Sequence, residues 1–133
     1  MFNSIGYFSD KEDAAILKKV HEALRSGGRF LLEVLNRDLI LRNFAERKET
    51  EINTIRVIEQ RAFDVLTSRN NFTIERHEKD NVITKRGSWR LYSAHELKNT
   101  LEDIGFTFLA GYASLDKEPL TKDTRLMRLV FEK

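Results

Sequence analysis

The chain has 133 residues, 41% of them hydrophobic and 33% charged, with a formal net charge of +2. That is enough for one domain with its own core, it excludes a disordered chain, and the interleaving of Lys and Arg with Asp and Glu predicts no nucleic-acid partner. The absence of cysteine excludes disulfides, thiol catalysis and cysteine-bound metals, and no apolar run is long enough to cross a bilayer as a helix.

The chain opens on the apolar, aromatic, glycine-containing stretch FNSIGYF, residues 2–8. Ser9 then stands three residues before Glu12, a capping-box spacing, and Asp10, Glu12 and Asp13 fill a first turn in which the helix dipole favours acids. Ile16, Leu17, Val20 and Leu24 recur at helical spacing and predict one apolar face. Arg25 is expected in the last turn, and Gly27 or Gly28 as the left-handed stop. The segment RFLLEVLN follows at once as a strand at 29–35, almost continuously apolar, the texture of a strand buried on both faces. Such a strand needs a neighbour reached through a crossover, and the 20 residues before HEALRSGGRFLLEV read only as helix and loop.

The charged stretch RDLILRNFAERKETE is ambiguous: it fits one helical turn with a charged loop after it, and its RNFAERKETE part fits a solvated segment or a lid over a site. From 52 to 92 the texture turns β-rich, in INTIRVIEQ, RAFDVLTS, FTIERHE and VITKRGSWRLY, with SRNN and KDN as punctuation. This predicts an antiparallel meander at about 50–92. Alternation along SWRLY would place Arg90 and Tyr92 on one strand face. A second helix–glycine–strand unit begins at Ser93, which repeats the capping-box spacing with Glu96; Leu97, Leu101 and Ile104 form its apolar face and Gly105 its stop. Strands are expected near 106–113 and 125–132.

The three histidines, His21, His77 and His95, have no metal-ligand spacing, the serines form no nucleophile elbow, and the opening residues carry no signal-peptide pattern. Ser26-Gly27-Gly28 ends a helix and precedes a strand, the reverse of a phosphate-binding loop. Residues and spacing alone lead to a soluble, cytoplasmic α/β domain with an antiparallel meander, no metal and no identified catalytic residue.

The order of these pieces closely resembles the second half of class I S-adenosylmethionine-dependent methyltransferases. The stretch SIGYFSDKEDAAILKKVHEALRSGGRFLLEVLNRDLILRNF resembles the aromatic loop after the family's fourth strand, the next helix and the fifth strand. ERKETEINTIRVIEQRAFD resembles its inserted strands, RLYSAHELKNTLEDIGF a later helical element, and RLMRLVFEK the last strand. The resemblance implies an α/β fold: a partial Rossmann-like sheet of the last three strands, the final one antiparallel and lying between the other two, with flanking helices and the meander inserted. The whole of 1–133 would be one C-terminal portion of that fold.

The family's glycine-rich loop and its ribose-binding acid have no counterpart in these residues. The resemblance therefore implies a methyltransferase-related chain that is inactive alone. It implicates Asn3, Ser4, Gly6 and Tyr7 as remnants of the cofactor side and Asn36, Arg37, Arg90 and Tyr92 as substrate-binding candidates. S-adenosylmethionine is the implied cofactor, though binding to this chain by itself is not expected. The strand at 29–35 would lack its natural neighbour. The expected partner is a second copy joined through that strand or a separate N-terminal half, and the alternative function is a non-catalytic interaction module.

Overall fold

The computed structural model describes Met1 and Ser4–Lys133, arranged as two compact units: Met1–Arg42 with Leu91–Lys133, and Asn43–Arg90. The first unit holds a three-stranded sheet of β1 (Arg29–Leu35), β6 (Thr107–Tyr112) and β7 (Leu126–Glu132), with the helices α1 (Asp10–Ala23), α2 (Arg37–Arg42) and α3 (Ala94–Ile104). The order is β1-β7-β6, so the last strand lies in the middle and runs antiparallel to both neighbours, as the sequence predicts.

Both long helices start as their sequences dictate. Ser9 and Ser93 are N-caps in complete capping boxes with Glu12 and Glu96. The Ser9 hydroxyl and backbone amide hold the Glu12 carboxyl below the usual carboxylate range. The two helices end differently. Gly105 takes the left-handed cap with φ 116°, but α1 stops at Ala23 with Leu24 extended, leaving Arg25 outside the helix. Gly27, with φ 70°, belongs to the turn that follows, where its N–H donates to the Lys133 carbonyl. The expected glycine stop for α1 is therefore displaced by a turn that ties the β1 entry to the C-terminus.

Strand alternation then sets the core. Phe30, Leu32 and Val34 of β1 and Met127, Leu129 and Phe131 of β7 are buried, and they cluster with Leu17, Leu97, Leu101 and Phe106. Phe131 lies against Phe106 and Phe108 at ring distances of 6.0 and 5.4 Å. The other sheet face is more open: Leu31 is 40% exposed, and Leu35, Leu126 and Val130 are half-buried around the Glu33–Arg128 pair at 2.5 Å. The expectation of burial on both faces of β1 thus holds for one face only, because α1 and α3 both contribute to the core on the Leu32 side.

The second unit is a four-stranded antiparallel sheet in sequence order, β2 (Arg47–Ile52), β3 (Ile55–Asp64), β4 (Arg69–Glu78) and β5 (Asn81–Arg90). The meander is as predicted, with two corrections. The charged run Arg47–Ile52 is an edge strand rather than a solvated loop, because Glu49 bridges Arg47 on its own strand and Arg56 across the ladder. Asn70 and Asn71 lie inside β4, and the turn falls earlier, at Val65–Ser68, where the Asp64 side chain accepts from the Leu66 and Thr67 amides. The Thr67 hydroxyl, followed by those amide bonds, holds the Asp64 carboxyl below its usual range.

Within this sheet Phe72 covers Gly87, its direct cross-strand partner, and leans on Trp89 at 4.8 Å. A Cβ at Gly87 would intrude on the Phe72 ring. Gly87→Ala should therefore cost about 1–3 kcal/mol through overpacking. The check is a urea titration followed by fluorescence of Trp89, the single tryptophan. A midpoint equal to wild type would mean that the ring has another place to go.

Candidate functional site

The carboxyl end of β1 leads into α2 through Asn36 and Arg37. Asn36 is buried: its amide donates to the Thr124 carbonyl at 2.9 Å and the Thr121 carbonyl at 3.4 Å, while its Oδ1 accepts from the Asp38 N–H at 3.0 Å. It thus caps α2 and closes the loop before β7. Arg37 is half-buried and donates to Glu96 Oε2 at 3.0 Å. That same oxygen accepts from the backbone and hydroxyl of Ser93, at 2.9 and 3.1 Å. The capping carboxylate of α3 therefore also fixes the guanidinium at the end of β1.

Next to Ser93, the buried Tyr92 donates its hydroxyl to Asp13 Oδ2 at 2.8 Å. The same oxygen accepts the Gly6 N–H at 2.8 Å. Gly6 has φ 98°, Ile5 before it is in the core, and Tyr7 and Phe8 after it are 62% and 50% exposed. Ser4 is exposed. Short polar links thus join four places far apart in the sequence: the end of β1, the start of α3, the first turns of α1 and the Gly6 loop.

Of the residues that the sequence implicates, Gly6, Arg37 and Tyr92 belong to this arrangement, and Tyr7 is exposed next to Gly6 in the chain. Asn36 is adjacent but engaged with the 121–124 loop. Asn3 lies outside the described residues. Arg90 ends β5 in the meander unit, so the strand alternation that was expected to pair it with Tyr92 stops one step short. Two residues in the links were not foreseen as site residues, Asp13 and Glu96. Glu96 is legible only as a capping acid. Asp13 carried one signal, its place three residues before Ile16 and four before Leu17, which puts it on the buried stripe of α1.

The histidines serve locally. His21 meets the Phe106 ring edge-on at 4.8 Å, His77 sits 3.2 Å from Glu75, and His95 is 3.2 Å from Asn99. Among the described residues there is no cluster of acids and histidines suited to a metal, and no helix long and apolar enough to cross a membrane.

A nucleotide-type cofactor needs a glycine-rich turn between a strand and a helix. The described glycines do not make one: Gly6 is a single glycine ahead of α1, Gly27 and Gly28 lie between helix and strand, Gly87 and Gly111 are inside strands, and Gly105 caps α3. The residues present therefore do not by themselves fit the methionine end of S-adenosylmethionine.

The outer edge of β1 has one further feature. The Met1 nitrogen donates to the Leu31 carbonyl at 2.7 Å, and the Met1 carbonyl accepts the Glu33 N–H at 2.7 Å. One residue reaching j−1 with its nitrogen and j+1 with its carbonyl is the parallel ladder pattern, here centred on Leu32. β1 therefore has β7 antiparallel on one side and Met1 in parallel geometry on the other.

No protein-family model and no curated protein sequence matches the chain. Solved structures do. The CcbJ methyltransferase from Streptomyces caelestis is similar with a TM-score of 0.84 at 17% identity, over 98% of this chain and 57% of that one. An S-adenosylmethionine-dependent methyltransferase from Clostridium acetobutylicum gives 0.80 at 15% identity, over 98% and 55%. CalS10, an amino pentose methyltransferase from Micromonospora echinaspora, gives 0.59 at 10% identity, over 100% and 56%. This chain spans little more than half the length of each of them. Its fold is that of the C-terminal half of class I S-adenosylmethionine-dependent methyltransferases.

Proposed function

We propose that this chain is the acceptor-side half of an S-adenosylmethionine-dependent methyltransferase, completed by a cofactor-binding half that pairs in parallel with β1. The observation that carries this reading is the parallel bridge from Met1 to Leu31 and Glu33, on the edge of a sheet whose fold is that of half a methyltransferase. The partly open sheet face that carries Leu31, Leu35 and Val130 around the Glu33–Arg128 pair supports it, since the largely parallel sheets of α/β folds are covered on both faces. In this reading the residues at the carboxyl end of β1 and the Gly6 loop line the acceptor site, where ligands of open α/β sheets sit. Their work is to position an acceptor for in-line attack on a methyl group that the cofactor supplies.

Amino sugars are the first acceptors to test, because CalS10 is named for an amino pentose. The isolated 133-residue chain should show no S-adenosylmethionine binding by titration calorimetry and no transfer to such a panel. Addition of an N-terminal half containing the glycine-rich strand–loop–helix unit, fused ahead of Met1 or supplied separately, should restore both. Micromolar binding by the chain alone, or no gain on completion, would overturn the reading.

A further inference from the structure

Asp13 is 2% exposed, whereas Asp10 and Glu12 in the same turn of α1 lie at the surface. A buried carboxylate is costly unless its oxygens are bonded. Capping does not explain it, because Ser9 and Glu12 already complete the cap. Its Oδ2 accepts two donors from outside the helix, the Gly6 amide and the Tyr92 hydroxyl, each at 2.8 Å, and its Oδ1 is buried with no hydrogen-bond partner. Gly6 is the pivot of its loop. At φ 98° it adopts a conformation that only glycine takes without strain. On one side of the pivot Ile5 enters the core, and on the other Tyr7 and Phe8 turn outward.

We propose that Asp13 is a positioning residue: seated by Tyr92, it clasps the Gly6 amide and so fixes the pivot that presents Tyr7 and Phe8 to the acceptor. That these rings meet an acceptor rests on the methyltransferase reading, whereas the clasp stands on the geometry alone. Tyr92 bonds the same oxygen as Gly6, so it sets the carboxylate rotamer as well as sharing its charge. A loop held in this way is ordered before a ligand arrives, and positioning then costs less on binding.

The test follows the Gly6 amide by nitrogen-15 NMR in the full 133-residue chain. In wild type it should be protected from exchange, with its proton shifted downfield by the charged acceptor. Asp13→Asn keeps an oxygen acceptor but not the charge, so the Gly6 proton should move upfield while much of the protection remains. Asp13→Ala removes the acceptor, and Gly6 exchange should accelerate by about tenfold or more, as for loss of a hydrogen bond to a charged group. Tyr92→Phe should fall between wild type and Asp13→Ala. A Gly6 proton shift and exchange rate the same in Asp13→Asn as in wild type would overturn the clasp. Should Asp13→Ala fail to fold, Asp13→Asn and Tyr92→Phe still decide, since both keep the shape of the core. A Gly6 amide that responds as expected, in a chain that gains no transfer on completion with a cofactor half, supports the clasp and overturns the methyltransferase reading alone.

Discussion

Phe131→Ala should remove most of the stability of the three-stranded unit. Phe131 has no exposure, sits on the central strand, and lies opposite Phe30 on β1 and Phe108 on β6. Its ring also meets Phe106, which is stacked on Phe30 at 5.7 Å. Truncation removes an aromatic ring from a site walled by other rings and by two antiparallel ladders, so collapse around the cavity is restricted. The cost should be at the upper end for such changes, about 3–5 kcal/mol. A domain of this size commands only about 5–15 kcal/mol in total. Thermal unfolding followed by circular dichroism should show the midpoint fall by more than about 10 °C, or lose its cooperative transition. Leu31→Ala on the open face of β1 is the control, and should shift the midpoint much less. A Phe131→Ala midpoint within a few degrees of wild type would place the core elsewhere.

What the sequence made legible follows from where its signals are local. Ser9 with Glu12 and Ser93 with Glu96 located both long helices, because a capping box is complete within four residues. The meander was legible from its β-branched and aromatic content, but the turn at Val65–Ser68 was not. Val65 and Leu66 are exposed apolar residues held at a turn by Asp64, and apolar side chains there mask the turn chemistry of the acid before them. Strand β2 was missed because its charges looked solvated, and only the ladder to β3 gives Glu49 its partner Arg56. The candidate site shows the same division. Gly6, Arg37 and Tyr92 were implicated through the resemblance, whereas Asp13 and Glu96 were legible only as helix-start acids. What sets them apart is a contact with Tyr92, 79 positions away, and one with Arg37, 59 positions away, and no local pattern encodes either.

The same non-local information decides how the edge of β1 can be probed: Leu31, and not Leu32, is the informative residue. In the β1–β7 ladder Leu32 lies opposite Leu129, while the groups of Leu31 and Glu33 that bond Met1 point away from β7. A proline at Leu32 would remove a donor on the β7 side and damage the sheet itself. Leu31→Pro instead removes an N–H from the outer edge, the donor that a parallel strand continuing ahead of Met1 would take. The 133-residue Leu31→Pro chain should keep its circular dichroism spectrum and most of its stability, because Leu31 is 40% exposed and its N–H is outside the β7 ladder. Its capture of a cofactor-binding half should fall by about tenfold or more, since a parallel neighbour loses both a hydrogen bond and close approach to the strand. Sedimentation equilibrium separates this from self-association. Wild type near 15.6 kDa at tens of micromolar, shifting only when the other half is added, fits a parallel strand from a different segment. A wild-type mass near twice that value, reduced by Leu31→Pro, would mean that a second copy takes the edge instead, antiparallel across a two-fold axis and with Met1 displaced from Leu31 and Glu33.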